Sequence, residues 1–344
     1  MNKSALFKKV SDAGRISADE ALQLLREENL LTIGQLAGTR LTRFHDPGFA
    51  TFQIDRNINY TNICESKCRF CAFYRRKEDT DAYVLSESAI LEKVADAAGH
   101  GATQIMLQGG LNPDLSLDYI IGVVKAIKAA FPVFVHSFSP PEINHFARLS
   151  GLSIEEVLDR LKTAGLDSLP GAGAEILTDS VRRIISPEKI SAGRWLEIME
   201  AAHGAGLQTT ATMMMGSVES VEDRIEHLQK IRDLQDRTSG FRAFIPWTFS
   251  SANTELGGQE TSSLDYLRTL AVARIFLDNI ANIQGSWVTQ GKEIGQISLH
   301  FGANDLGSIM LEENVVKAAG TTNRITENEM ADLIRRAGKT PQQR

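Results

Sequence analysis

Cysteine is scarce in this chain: three in 344 residues, all between Cys64 and Cys71. An odd number cannot pair completely, so a disulfide framework is excluded, and a reducing compartment or a metal fits better. No uninterrupted apolar run approaches the roughly 18–20 residues a spanning helix needs, so no membrane partner is expected. The N-terminus, MNKSALFKKVSDAGR, lacks the apolar core and small-residue cleavage site of a secretory signal. The expected location is the cytoplasm. Basic charge is not in excess, with 37 Lys+Arg against 43 Asp+Glu and a net charge of −6, which disfavours nucleic acid as a partner. Low-complexity sequence is confined to the polar tail Lys339–Arg344, and no solenoid period recurs. The remaining composition, 42% hydrophobic and 23% charged, is that of a globular enzyme.

Residues 1–50 read as a helical extension. Ser17 and Glu20 form a capping box ahead of Leu22, Leu25 and Leu30. From residue 51 to 344, strands alternate with helices. The strands are expected at Thr51–Tyr60, Thr103–Gln108, Val133–Ser139, Ser168–Gly171, Thr209–Met215, Phe241–Phe249, Ala281–Trp287 and Ser298–Gly302. Among the helices, Ser153 and Glu156 make a second capping box, and Ile225, Leu228 and Ile231 repeat at the spacing of one buried stripe. Eight such units predict an α/β fold, a (β/α)8 TIM-type barrel, closed by a C-terminal helix and the short tail. A doubly wound sheet is the runner-up. The run Gly171-Ala172-Gly173-Ala174-Glu175 begins like a dinucleotide-binding turn but lacks its third glycine.

Cys64, Cys68 and Cys71 make C-x3-C-x2-C on the loop after the first strand. Soft thiolates favour zinc, copper(I) or iron–sulfur clusters. A structural zinc site takes four protein ligands, so zinc would need a histidine here, and an electron carrier takes four cysteines per cluster. Three ligands to a four-iron cluster leave one iron open, as a catalytic site requires.

The run Cys64-Glu-Ser-Lys-Cys68-Arg-Phe70-Cys71, with its aromatic residue before the last cysteine, resembles the signature of the radical S-adenosylmethionine (SAM) superfamily. The resemblance implies that Cys64, Cys68 and Cys71 hold a [4Fe–4S] cluster, with Phe70 beside it and SAM on the fourth iron. It also implies one-electron cleavage of SAM to a 5′-deoxyadenosyl radical, with the electron coming from a flavodoxin- or ferredoxin-type donor. The stretches LQGGLNPD at 107–114, HSFSPPEI at 136–143, LPGAGAEIL at 169–177 and TTATMMMG at 209–216 are similar to one subgroup, which serves menaquinone synthesis by the futalosine route or builds the deazaflavin chromophore. FRAFIPWTF at 241–249, GSWVTQG at 285–291 and LHFGANDLGSIMLEENVV at 299–316 resemble the dehypoxanthine futalosine cyclases, the MqnC type. Aminofutalosine synthases and the deazaflavin synthase subunit are the alternatives within the subgroup. For a cyclase the small-molecule substrate is dehypoxanthine futalosine. Hydrogen is taken from ribose C4′, the sugar radical adds to the benzoate ring, and loss of an electron and a proton gives the spiro product.

Several further residues are expected at the site. Gln108, Gly109 and Gly110 end the second strand, and in the superfamily this turn meets the SAM amino group; as a bare sequence it is also an ordinary strand-to-helix turn. Glu175 and Arg194 can bracket the zwitterionic end of SAM, or form a surface ion pair. His136 is a substrate contact, a proton acceptor or a hydrogen-bonded core residue, and Ser137 beside it can meet SAM. Thr210, Thr212 and Met214 share one face of the fifth strand, with Met214 against the adenine or simply in a barrel layer. Trp247 and Trp287 are expected around the benzoate, and His300 and Asn304 near the ribose. Asp305 is the second candidate base. Aromatic packing and helix capping are the plainer readings of these last residues.

Overall fold

The computed structural model describes residues 3–27 and 29–344. Its strands are β1 Phe49–Gln53, β2 Asp55–Ile58, β3 Gln104–Leu107, β4 Phe134–Val135, β5 Ser168–Leu169, β6 Gln208–Met215, β7 Phe241–Thr248, β8 Asn282–Ile283, β9 Asp305–Ser308 and β10 Thr340–Gln343. All the pairings are parallel. The ladders run β9 to β1, β2 to β3 to β4, and β5 to β6 to β7 to β8. Two isolated bridges, His136 with Ser168 and Gln284 with Asp305, join the pieces into a closed ring. β1 and β2 are one stave interrupted at Ile54, so the ring is an eight-stave parallel barrel with helices around it, and its chemistry belongs at the C-terminal strand ends.

The predicted caps are present. Ser17 with Glu20 and Ser153 with Glu156 each form a reciprocal capping box. The helix Val221–Thr238 buries Ile225, Leu228 and Ile231 together. The last stave is a correction. Ser298–Gly302 does not form a strand: it holds the end of the helix Lys292–Ser298 and the turn after it, and the stave is Asp305–Ser308. The alternating pattern of Ser298-Leu299-His300-Phe301 imitates a strand. Its apolar members Leu299 and Phe301 are instead buried from a turn, and Phe301 packs so closely on Gly34 that a Cβ there would lie 2.8 Å from the ring.

The helices Lys3–Ser11, Ala18–Leu25 and Leu30–Leu41 form a layer, the last two packing on the outer helices Val221–Thr238 and Ser263–Phe276. Arg232 ties the layer down by donating to the Ile16 carbonyl at 2.8 Å. The tail differs from its sequence expectation as well. Thr340–Gln343 is β10, hydrogen-bonded along β1 from Phe49↔Thr340 to Phe52↔Gln343. Arg344 then turns inward and pairs with Asp305 at 2.7 Å.

Two imidazoles outside the site make the fold acid-sensitive. Burial lowers His203 to about 4 and His227 to about 3. The His227 Nδ1 accepts the Leu177 amide at 3.0 Å, a bond that protonation destroys. Both folded values lie below the unfolded value near 6.5, so the unfolded chain takes up protons first. Stability is complete above about pH 6.5 and declines as the pH falls toward these folded values. Chemical denaturation followed between pH 7 and 4 should show this decline. His227→Gln should flatten it by up to ~1.4 kcal/mol per pH unit, and an unchanged slope would discard the assignment.

Candidate active site

One cavity of about 720 Å³ runs inside the barrel, lined at the mouth by Cys64, Cys68, Phe70 and Cys71 and at the floor by Asp305 and Arg344. Its size suits small-molecule ligands. The cysteine loop leaves β2 and is closed at its base, where Arg75 N–H donates to the Asn62 carbonyl at 2.7 Å and Cys64 N–H to the Arg75 carbonyl at 3.1 Å. The Arg75 guanidinium gathers the carbonyls of Ala72, Phe73 and Tyr74. Lys67, at φ +44°, turns the chain so that three thiols reach one wall.

Cys68 is buried while Cys64 and Cys71 are half-buried. Burial pushes the Cys68 thiol up to about 12 against the pull of nearby Lys189, and it raises Cys71 too. Such thiols become thiolates only against a strong local cation, which a metal centre supplies. Among the described residues, no group of three or more His, Cys, Asp or Glu is arranged to hold a single metal ion.

The turn at Gln108-Gly109-Gly110 lies directly against the cysteine loop. A Cβ on Gly110 would sit 2.2 Å from the Ile63 oxygen and 2.9 Å from Cys64 Cβ, so only glycine permits the approach. The Gly110 amide donates to the Thr61 carbonyl and the Gly109 amide to Glu142 Oε1 at 3.0 Å. Both amides are therefore used, and among the described residues none donates to the Gly109 carbonyl, an acceptor suited to an ammonium group. Glu142 was missed by sequence reasoning, although Ser139-Pro-Pro-Glu142 is a legible capping box. Fully buried, it also takes the Tyr60 hydroxyl at 2.7 Å, and so ties the third helix-bearing loop to the glycine turn.

Glu175 follows β5 in a left-handed conformation, φ +39°. Its Oε1 accepts Lys189 Nζ at 3.0 Å, Arg182 stands 3.8 Å from Oε2, and Oε2 itself makes no hydrogen bond although buried. Lys189 also sits over the Phe70 ring at 5.1 Å. No sequence pattern marks Lys189. The orphaned Glu175 oxygen, the free Gly109 carbonyl and the three thiols share one cavity, and this donor set fits an amino acid whose ammonium needs acceptors beside a cluster.

Arg194 is not part of this group. It donates to Asn144 at 2.9 Å and to Glu197 at 3.1 Å on the outer helices and does not line the cavity. Ser137 faces away from the cavity, and its Oγ accepts the Leu107 amide. Met214 is fully buried behind the wall, whereas Thr210 and Thr212 line it. Trp247 lines the cavity, but Trp287 does not: it opens a short helix and donates from Nε1 to the Ser308 carbonyl at 3.0 Å, as a core residue. His300 lies outside the cavity on the turn after the helix Lys292–Ser298.

Asn304 and Asp305 stand at the start of the last stave, hence at the floor rather than the mouth. Asn304 is spent on Arg274, the Ile283 amide and Asn282. Asp305 is spent on Arg344, Thr51 and the Gly307 amide.

His136 lines the cavity beneath the mouth. The Ser168 hydroxyl donates to the Gln208 carbonyl at 2.6 Å, so it can only accept from His136 Nδ1 at 2.9 Å. That fixes the neutral tautomer with Nε2 unprotonated, and among the described residues the only hydrogen bond of the ring is the one at Nδ1. Burial, reinforced by Arg242 and Arg344, holds the imidazole well below its ordinary range, so it is neutral at working pH.

Residues 58–231 match the family model of the radical SAM superfamily, and residues 238–344 match that of the CofH/MqnC C-terminal region. The chain is 50% identical over 344 residues to a cyclic dehypoxanthine futalosine synthase of Streptomyces coelicolor, covering 98% of this chain and 86% of that protein. It is 45% identical over 348 residues to the protein of that name in Halalkalibacterium halodurans, with 100% and 94% covered. It is 44% identical over 300 residues to a 5-amino-6-(D-ribitylamino)uracil–L-tyrosine 4-hydroxyphenyl transferase of Archaeoglobus fulgidus, covering 86% of each. Among solved structures, methylornithine synthase superposes with a TM-score of 0.76 at 18% identity, over 98% of this chain and 97% of that one, a likeness of fold alone.

Proposed function

The chain belongs to the radical SAM superfamily, in its CofH/MqnC branch, and from that membership we infer that it cyclises dehypoxanthine futalosine to cyclic dehypoxanthine futalosine, a step of menaquinone synthesis by the futalosine route. Identity of 50% and 45% to the two futalosine synthases over 98–100% of this chain carries this reading, whereas the transferase of Archaeoglobus fulgidus matches over 86% of it. When bound, the [4Fe–4S] cluster and SAM supply a 5′-deoxyadenosyl radical that removes the ribose C4′ hydrogen.

The chain's own residues do the rest. Cys64, Cys68 and Cys71 hold the cluster at the barrel mouth. The Gly109 carbonyl and Glu175 Oε2 accept from the amino group of SAM, and Phe70 and Gln108 border that subsite. The barrel wall confines ribose and benzoate at near-attack distance and keeps water out, which is worth several kcal/mol, of order 7–11 in well-oriented intramolecular cases. Trp247 closes over the aryl ring. His136 Nε2 accepts the proton lost when the cyclised ring regains aromaticity, and the electron lost with it would return to the cluster that SAM cleavage leaves oxidised. Asp305 and Asn304, held in fixed pairs, shape the floor. A flavodoxin- or ferredoxin-type protein delivers the electron in the cytoplasm.

The deciding assay reconstitutes the protein anaerobically with iron and sulfide, then supplies dithionite, SAM and dehypoxanthine futalosine. The expected result is 5′-deoxyadenosine together with a product two hydrogens lighter than the substrate. Consumption of tyrosine with the ribitylaminouracil instead would transfer the chain to the sibling reaction.

A further inference from the structure

We propose that Arg242 anchors the aryl carboxylate of the substrate at the barrel floor, at the opposite end of the cavity from the cysteines; the proposal rests on the cyclase reading above. The strand that carries Arg242 breaks register with its neighbour. β6 and β7 pair as Thr209↔Phe241 and then Thr210↔Ala243, so Arg242 is an extra residue in its strand. A bulge of this kind re-aims a side chain. Here it turns Arg242 onto the same side as Ala243, Ile245 and Trp247, and all four line the cavity.

Its bonding then separates the part-buried Arg242 from the buried arginines, of which Arg224 is paired with Glu219 and Asp265. Arg40, Arg182, Arg232 and Arg274 each donate two or more bonds to backbone carbonyls and serve to knit loops together. The Arg242 guanidinium makes one hydrogen bond, to Gln104 Oε1 at 3.2 Å, with the Phe134 ring at 5.1 Å behind it. Among the described residues no carboxylate stands within ion-pair distance of it. A desolvated guanidinium without an anion is costly, and burial drags it down to about 10. Its free donors face the cavity, in the fork that matches a carboxylate.

The other charged groups at the floor do not compete. Asp305 is committed to Arg344. The Asp55 carboxyl is held by Gln53 and Gln104 through one oxygen while the other has no partner. Burial raises the Asp55 carboxyl above its ordinary range, against the pull of Arg344 and Arg242. His136 is neutral. Between floor and mouth, Met106, Ala243 and Ile245 give an apolar wall where an aryl ring fits. An anchored carboxylate thus holds the ring below the mouth with the ribose directed toward the SAM subsite.

The test uses the reconstituted, SAM-loaded enzyme and two ligands, dehypoxanthine futalosine and its carboxamide counterpart. Wild type should prefer the carboxylate by at least about tenfold, the usual worth of a charge-assisted bond. Arg242→Gln should erase the preference by raising Kd and KM for the carboxylate, and Arg242→Lys should restore part of it. Cluster absorbance and SAM affinity should stay as in wild type. The ligand exchange on wild type stands even if a variant misfolds. Equal affinity of wild type for both ligands, or a preference surviving in Arg242→Gln, overturns the anchor. Turnover without the preference removes the anchor alone. Failure of wild type to turn over dehypoxanthine futalosine removes the cyclase reading and this assignment with it.

Discussion

Replacing Cys68 with alanine will bring both SAM cleavage and cyclisation to background. Cys68 is the buried member of the trio, set beside Lys189 and Phe70, and no other cysteine exists to replace it. Cys64 and Cys71 alone cannot retain the cluster, so iron and sulfide content after anaerobic reconstitution should fall together with 5′-deoxyadenosine release. The fold should survive. Removing one sulfur from a loop stapled by Arg69 N–H to the Ile185 carbonyl and by Leu256 N–H to the Arg69 carbonyl costs about 1–2 kcal/mol at most. A variant that unfolds normally but still forms 5′-deoxyadenosine would refute the ligand assignment.

His136→Gln separates the two halves of the chemistry. The side chain is remote from the cysteine loop, so SAM cleavage should continue while the cyclic product falls by about 10²–10⁴-fold, the usual worth of a positioned base. Glutamine keeps a polar contact to Ser168 and so tests basicity rather than packing. In the wild type, burial together with Arg242 and Arg344 keeps His136 in its base form, so its contribution should persist well below pH 6.5 and vanish only at strongly acid pH. The check is the ratio of 5′-deoxyadenosine to cyclic product across pH. An unchanged ratio in the variant moves the proton to another acceptor.

The cysteine loop was legible because its ligands are neighbours in sequence and the spacing itself carries the chemistry. Capping boxes at Ser17 and Ser153 were legible for the same reason. What was hidden depends on contacts between distant segments. Nothing near Lys189 announces that it will lie over Phe70, or that Glu175 will be its partner. Arg242 reaches the cavity through a bulge that only the pairing of β6 with β7 reveals. The last stave was misread because Asp305-Leu-Gly-Ser308 has no β-branched residue to mark it, while the preceding turn alternates like a strand. That shift also moved Asn304 and Asp305 from the mouth to the floor. Trp287 was misassigned since an aromatic residue at a strand end looks the same from sequence whether it faces the lumen or the core.

The strand β10 sets an order of assembly. Phe49–Phe52 takes its hydrogen-bonding neighbours from Thr340–Gln343, at the far end of the described chain. Arg344 meets Asp305 and Gln53 only once that strand is in place. On a ribosome the cysteine loop emerges well before the strand that seals the floor. Through most of synthesis the nascent barrel therefore exposes the unpaired edge of β1, and contacts of such sequence separation form slowly. The lumen becomes a closed compartment only once β10 has been made, when every other residue of the site is already present.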